Sequence, residues 1–133
     1  MANASFQISF RGGEPVSGTV RFDPGSRLEG LVQVMPAENI RAKRVIVRVG
    51  WHTEGRGDQD RATVGELQIA QGNLTANTPI AQSFALDLPR EPWSFSGFYV
   101  SIVWDVRVTV DIPLGSDLEA VQPFIIAPRP RQR

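Results

Sequence analysis

With 133 residues, 41% of them hydrophobic and 21% charged, the chain has the size and composition of one globular domain able to close a core, and lacks the continuous apolar run of a membrane-spanning helix. Its 14 Lys and Arg balance 14 Asp and Glu, leaving no net field to gather phosphate backbones or anionic lipids, so neither nucleic acid binding nor membrane insertion is expected. No cysteine is present, which excludes a disulfide framework, a thiolate nucleophile and sulfur-bound zinc; without a signal-peptide pattern in Met1 to Phe10, a cytoplasmic location is expected.

Apolar and polar residues alternate along most of the chain, the period of a strand with one buried face and one wet face. In order, the alternation predicts strands at Phe6/Ile8/Phe10, Val16/Gly18/Val20/Phe22 and Leu28/Gly30/Val32/Val34, then a long strand through Val45, Val47, Val49 and Trp51. Shorter runs follow at Leu67/Ile69 and Phe84/Leu86/Leu88. The longest apolar face joins Val100, Ile102, Trp104, Val106, Val108, Val110 and Ile112, and a last run covers Val121 to Ile126. On the longest strand Asp105, Arg107 and Asp111 take the wet parity, where loss of the Arg107 side chain should be nearly silent.

Breakers separate these runs: Arg11-Gly12-Gly13, Asp23-Pro24-Gly25-Ser26, Gln71-Gly72-Asn73, the Pro-rich Leu88 to Pro92, and Pro113-Leu114-Gly115-Ser116. No helical period carries a cap, though single turns fit Gly65 to Gln68 and Ser94 to Phe98. The segments beginning at Gly13 and Gly25 echo each other, each placing Gly and Val at the same spacing; two successive strands sharing a bulge-like glycine account for this. The expected fold is an all-β, immunoglobulin-like antiparallel sandwich of about 7–8 strands over residues 1–127, followed by a short, basic, frayed tail at 128–133.

No constellation of residues suggests catalysis, and no metal or cofactor is expected. Nucleophilic catalysis wants a base beside Ser, Thr or Cys, but the single histidine, His52, reads as a partly exposed strand-end residue. Asp58 and Asp60 are close enough to share a hard cation, yet alternate acids are common in glycine-containing loops. Asp105 and Asp111 lie six residues apart on one strand, too far for a glycosidase pair. Arg56-Gly57-Asp58 matches an integrin tripeptide, and Asn3-Ala4-Ser5 and Asn73-Leu74-Thr75 match glycosylation acceptors, all without a secretory context. Trp51 and Trp104 continue apolar faces and read as core, whereas Trp93, in the Pro-flanked loop, is the aromatic candidate for contact. Arg41, Lys43, Arg44 and Arg48 form a basic cluster partly offset by Glu38. It reads as a solvated strand face, with an acidic partner segment as the second reading.

Two phrases go further. Pro24-Gly25-Ser26-Arg27-Leu28-Glu29-Gly30-Leu31-Val32-Gln33-Val34, with Ile40 and the run Arg44 to Trp51, is followed by Phe84-Ala85-Leu86-Asp87-Leu88-Pro89, Pro92-Trp93-Ser94-Phe95-Ser96-Gly97 and Val100 to Val108. In order and spacing they resemble the N-terminal domain of the arrestin family, as a single-domain, bacterial-type arrestin-like protein would. Ser26 stands where the family often has Glu, and Trp104 where it has Tyr. The resemblance implies an immunoglobulin-like sandwich used as an adaptor surface, but arrestins pair two such domains and this chain has room for one. No functional residue carries over, since the matching positions are packing and turn positions.

The expected function is therefore a non-enzymatic adaptor or scaffold that binds a protein partner. A carbohydrate-binding or other ligand-binding sandwich, motivated by Trp93, and a structural subunit of a larger assembly are the alternatives. Either the first strand or the last should lie at a sheet edge, and association with a partner or a second copy should use main-chain pairing near Phe6 to Phe10.

Overall fold

In the computed structural model, residues 3–57 and 59–129 are described. The strands are β1 (Ala4–Arg11), β2 (Glu14–Val16), β3 (Thr19–Phe22), β4 (Arg27–Pro36), β5 (Ile40–Gly55), β6 (Arg61–Leu74), β7 (Ile80–Asp87), β8 (Phe95–Ser96), β9 (Val100–Asp111) and β10 (Leu118–Ile126). They form two sheets, one of order β1-β4-β7 and one of order β2-β3-β10-β9-β5-β6, with the short β8 beside β9. Every pairing is antiparallel except β10 with β3, which run parallel at Ile125 and Ile126. No helix among the described residues is long and apolar enough to cross a membrane.

The core lies between the sheets, and β9 supplies its centre: Trp104, Val106, Val108 and Val110 are wholly buried. Alternation is decisive here because β9 has strands on both sides and its inner face meets the three-stranded sheet. Trp104 packs on Phe124, which meets Phe10 and Phe22 edge to face with ring centroids 5.6 and 5.8 Å away. Its indole N–H donates to the Pro92 carbonyl at 2.9 Å, so the polar end of this buried ring is satisfied. Trp51 is half-buried and packs against the same core.

Three local expectations change. Val16 to Phe22 is a hairpin, not a strand, because Ser17 and Gly18 both take positive φ (47° and 83°), the geometry of a tight type I′ turn. Gly30, its counterpart in the echo, is inside β4; a Cβ there would come within 2.6 Å of the Ser9 carbonyl oxygen and 2.5 Å of the Phe84 ring. One glycine turns the chain and the other admits a ring, so the echo is not a shared bulge. The single turn expected at Gly65 to Gln68 and the breaker at Gln71 to Asn73 both lie within β6. Register shifts against β6 after Ala42, Val45 and Val49 of β5 absorb the irregularity, while β5 keeps an unbroken register with β9, and Ile46, opposite Thr109, is buried on the outer face.

β1 lies at a sheet edge, whereas β10 is internal, between β3 and β9. The end of β10 is pinned by the buried Arg21 and its two exposed carboxylate partners. Arg21 lies 3.1 Å from Glu14 and 2.7 Å from Asp23, and also donates to the Ala127 carbonyl. The Asp23 hydrogen bond raises the Arg21 pKa and lowers that of Asp23, so this bridge is held ionised.

Candidate functional site

The sandwich presents three surfaces of note, the first at one tip. Gly55, at the end of β5, has φ 138°, and a Cβ there would come 2.0 Å from the Tyr99 carbonyl oxygen. This close approach, with a hydrogen bond from Arg56 N–H to the same carbonyl at 3.0 Å, fastens the β5–β6 turn to the loop before β9. That loop carries Trp93, Phe95, Phe98 and Tyr99, all exposed, from 50% for Trp93 to 91% for Phe98. Phe98 and Tyr99 meet edge to face at 84°, and Arg56 stands over the Tyr99 ring at 5.9 Å. Trp93 is anchored by its N–H to the Arg90 carbonyl at 3.0 Å.

Trp93, the contact candidate, is exposed, and three further exposed aromatic rings lie between it and β9. They escaped the sequence reading because a loop has no period to betray which side chains are left outside. The basic cluster is at the other end of β9: Arg44 pairs with Asp111 at 3.5 Å, and Arg48 with Glu66 at 2.8 Å. Arg41 and Lys43 have no ion-pair partner among the described residues. Structure does not unite this cluster with Trp93.

The second surface is the outer edge of β1. Its residues pair only with β4, leaving main-chain groups on the far side unpaired, and the strand has no proline or inward charge to protect it.

A third feature lies on the outer face of the larger sheet. Gly50 of β5 pairs with Asp105 of β9 and lets β6 approach closely, since a Cβ there would lie 2.1 Å from the Ala62 carbonyl oxygen. Beside it is a cleft of ≈ 410 Å³ bordered by Arg48, Trp51, Arg61, Thr63 and Arg107, with Asp105 in its lining. Asp105 occupies the wet parity yet is only 3% exposed, because His52 and Arg107 close over it. Asp105 Oδ2 is 2.9 Å from His52 Nδ1 and 3.8 Å from Arg107, and forms no hydrogen bond of good geometry. Burial raises its pKa, against the opposing pull of Arg107, His52 and Arg61. His52 is inside β5, opposite Val103, not at a strand end, and its Nε2 is 2.7 Å from Glu54. Arg107, whose loss was expected to be silent, also bonds Glu119 at 2.6 Å.

No group of three His, Asp or Glu side chains converges on a metal-sized site among the described residues. Asp58, and with it the Asp58/Asp60 pair and the Arg56-Gly57-Asp58 tripeptide, lies outside the described residues.

No family model and no curated protein matches the chain. Among solved structures it is similar to Spo0M, a sporulation control protein from Bacillus subtilis, with 15% sequence identity and a TM-score of 0.65. The match covers 95% of this chain and 50% of that one, so the chain spans half the length of its structural neighbour. Spo0M has an arrestin-like fold, and at this identity the likeness concerns fold alone. The molecule is an all-β sandwich of arrestin-like fold, the architecture implied by the phrases around Pro24 to Val34 and Phe84 to Val108.

Proposed function

We propose that this chain is a non-enzymatic, cytoplasmic adaptor or scaffold module that docks a protein partner through the aromatic tip. The observation that carries this reading is the exposure of four aromatic side chains, Trp93, Phe95, Phe98 and Tyr99, within the seven residues before β9, with Arg56 over the Tyr99 ring. Aromatic rings and arginine are the residues that dominate binding energy at protein interfaces, and burying one such ring contributes about 2–3 kcal/mol. An arrestin-like fold, shared with a control protein, supports a regulatory or adaptor role. A sugar platform would need coplanar rings, whereas Phe98 and Tyr99 stand nearly perpendicular.

Photo-crosslinking tests the reading. A benzoylphenylalanine at position 98 should trap one discrete protein, and the same group at exposed Gln82 on β7 should not; equal labelling from both positions, or none, would sink the proposal. A second mode is favoured by the position of β1, whose free edge can accept a partner strand or a second copy. Amides on one side of Phe6 to Phe10 should exchange fast in the free monomer and slow on association. Full protection in the monomer would eliminate that mode.

A further inference from the structure

We infer that two copies of this chain associate about a two-fold axis at Ser83, pairing their β7 strands edge to edge so that the two three-stranded sheets become one. The inference is independent of the docking reading and uses a different edge of the molecule from β1.

β7 ends its sheet, with β4 on one side and no strand on the other. The phase of the ladder is set where Leu88 N–H donates to the Ser26 carbonyl at 2.7 Å while Arg27 stands opposite Asp87. Main-chain groups alternate in direction along an antiparallel strand, so those of Gln82, Phe84 and Leu86 turn to β4 and those of Ala81, Ser83 and Ala85 turn to the open side. There the Ser83 carbonyl takes a hydrogen bond from the side-chain amide of its neighbour Gln82, at 3.2 Å, in place of a strand's N–H. Edges of this kind are normally guarded by charge, proline or an irregular register. β6, the corresponding edge of the larger sheet, has Arg61, Glu66 and three register shifts against β5. From Ile80 to Leu86, β7 has no charge and no proline, and its register with β4 is unbroken.

This unguarded stretch matches itself. With Ser83 on the axis, Ala81 faces Ala85 of the second copy on the outer side, while on the core side Ile80 faces Leu86 and Gln82 faces Phe84. All three residues with open main-chain groups are then paired, and no like charges meet. Asp87 falls opposite Pro79 and is already bound to Arg27 at 3.0 Å. Beneath the seam a slot of ≈ 190 Å³ opens between the sheets, lined by Val47, Val49, Leu67, Phe84 and Leu86. Ile80 and Gln82 of the second copy come to lie beside Leu86 and Phe84 at its mouth, so the pairing also covers apolar surface that a single sandwich leaves open. The occupant is a copy because the register that fills the edge is symmetric, and a chain without net charge does not repel its own kind.

Sedimentation of the purified protein should give a dimer, twice the 14.7 kDa of one chain. Ser83→Lys sets like charges face to face on the axis and should weaken the dimer about tenfold or more, with the far-UV spectrum unchanged because Ser83 is exposed. Mixing Ser83→Lys with Ser83→Glu should restore association, which a general loss of stability could not do. The chain has no cysteine, so a single introduced thiol reports the register. Ser83→Cys should form an intermolecular disulfide across a Cα separation of about 5.5 Å, whereas Ala85→Cys, also exposed but paired with Ala81, should not. A wild-type monomer up to millimolar concentration would overturn the inference and leave the edge to a foreign strand. So would a dimer indifferent to charge at position 83, or equal cross-linking from positions 83 and 85. Position 82 lies on the seam, so a benzoylphenylalanine there should join two copies of the chain and no other protein. Absence of the dimer therefore leaves docking at the aromatic tip intact, and a failed cross-link at position 98 leaves the dimer intact.

Discussion

The two faces of β9 are buried by different means. Toward the core, Trp104, Val106, Val108 and Val110 exclude water by packing; on the opposite face Asp105 is nearly as hidden, yet it is covered by His52 and Arg107 and lines an open cleft. Strand parity therefore reports which chemistry a face carries, not whether water reaches it. The inner face tolerates no charge, while the outer face holds one only because its neighbours supply compensating charges.

Substitutions can break that contrast. Val106→Asp should have the largest effect and abolish the cooperative thermal transition, since an uncompensated charge on the inner face costs several kcal/mol, roughly 3–5 or more. A normal melting curve would mean that the faces have been confused. Gly50→Ala, on the outer side, should cost about 2 kcal/mol through displacement of β6 at Ala62, seen as a lower denaturation midpoint with unchanged slope. No loss of stability would show that the close approach relaxes freely.

Asp105→Asn should have a smaller effect, and one that depends on pH. Because burial raises the folded-state pKa of Asp105, its contribution to stability is fully present below the unfolded-state value and is lost as pH rises through the folded-state value. Asp23 acts in the opposite sense: its pKa is lowered, so its contribution is lost as pH falls. Melting temperatures across the acid range, compared between wild type and Asp105→Asn, should reveal the loss in the wild type alone. Parallel profiles would contradict the assignment. Phe98→Ser should have the least effect on stability, within about 0.5 kcal/mol, because the ring is almost wholly exposed. It should nonetheless abolish recovery of the cross-linked partner when the photoreactive group is moved to position 95.

These contrasts also explain what could be read in advance. The core face of β9 was legible because a residue between two paired strands has only two directions to point. The Ser17-Gly18 turn left a visible dipeptide signal, but the flanking alternation of Val16, Val20 and Phe22 outweighed it. The long course of β6 depends on register shifts against β5, set by partners distant in sequence, so no local window contains it. The carboxylate at Asp105 is covered by side chains brought to it by the β5–β9 register, and its neighbours Gly50 and His52 lie more than fifty residues away in the chain. The exposed rings at Phe98 and Tyr99 were invisible for the reverse reason: they lie between strands, where no ladder sets a side-chain direction.

The internal position of β10 has a consequence for how the chain is made. During synthesis β5, β6 and β9 can pair as soon as they emerge, but the β2–β3 hairpin has no place in the larger sheet until β10 arrives to lie between β3 and β9. The growing chain therefore carries two open borders, one on β9 and one on β3, and the last strand closes both at once. A stop before Leu118 would leave the hairpin without its neighbour and both borders bare, so the larger sheet is complete only when β10 is in place and Arg21 fastens Ala127.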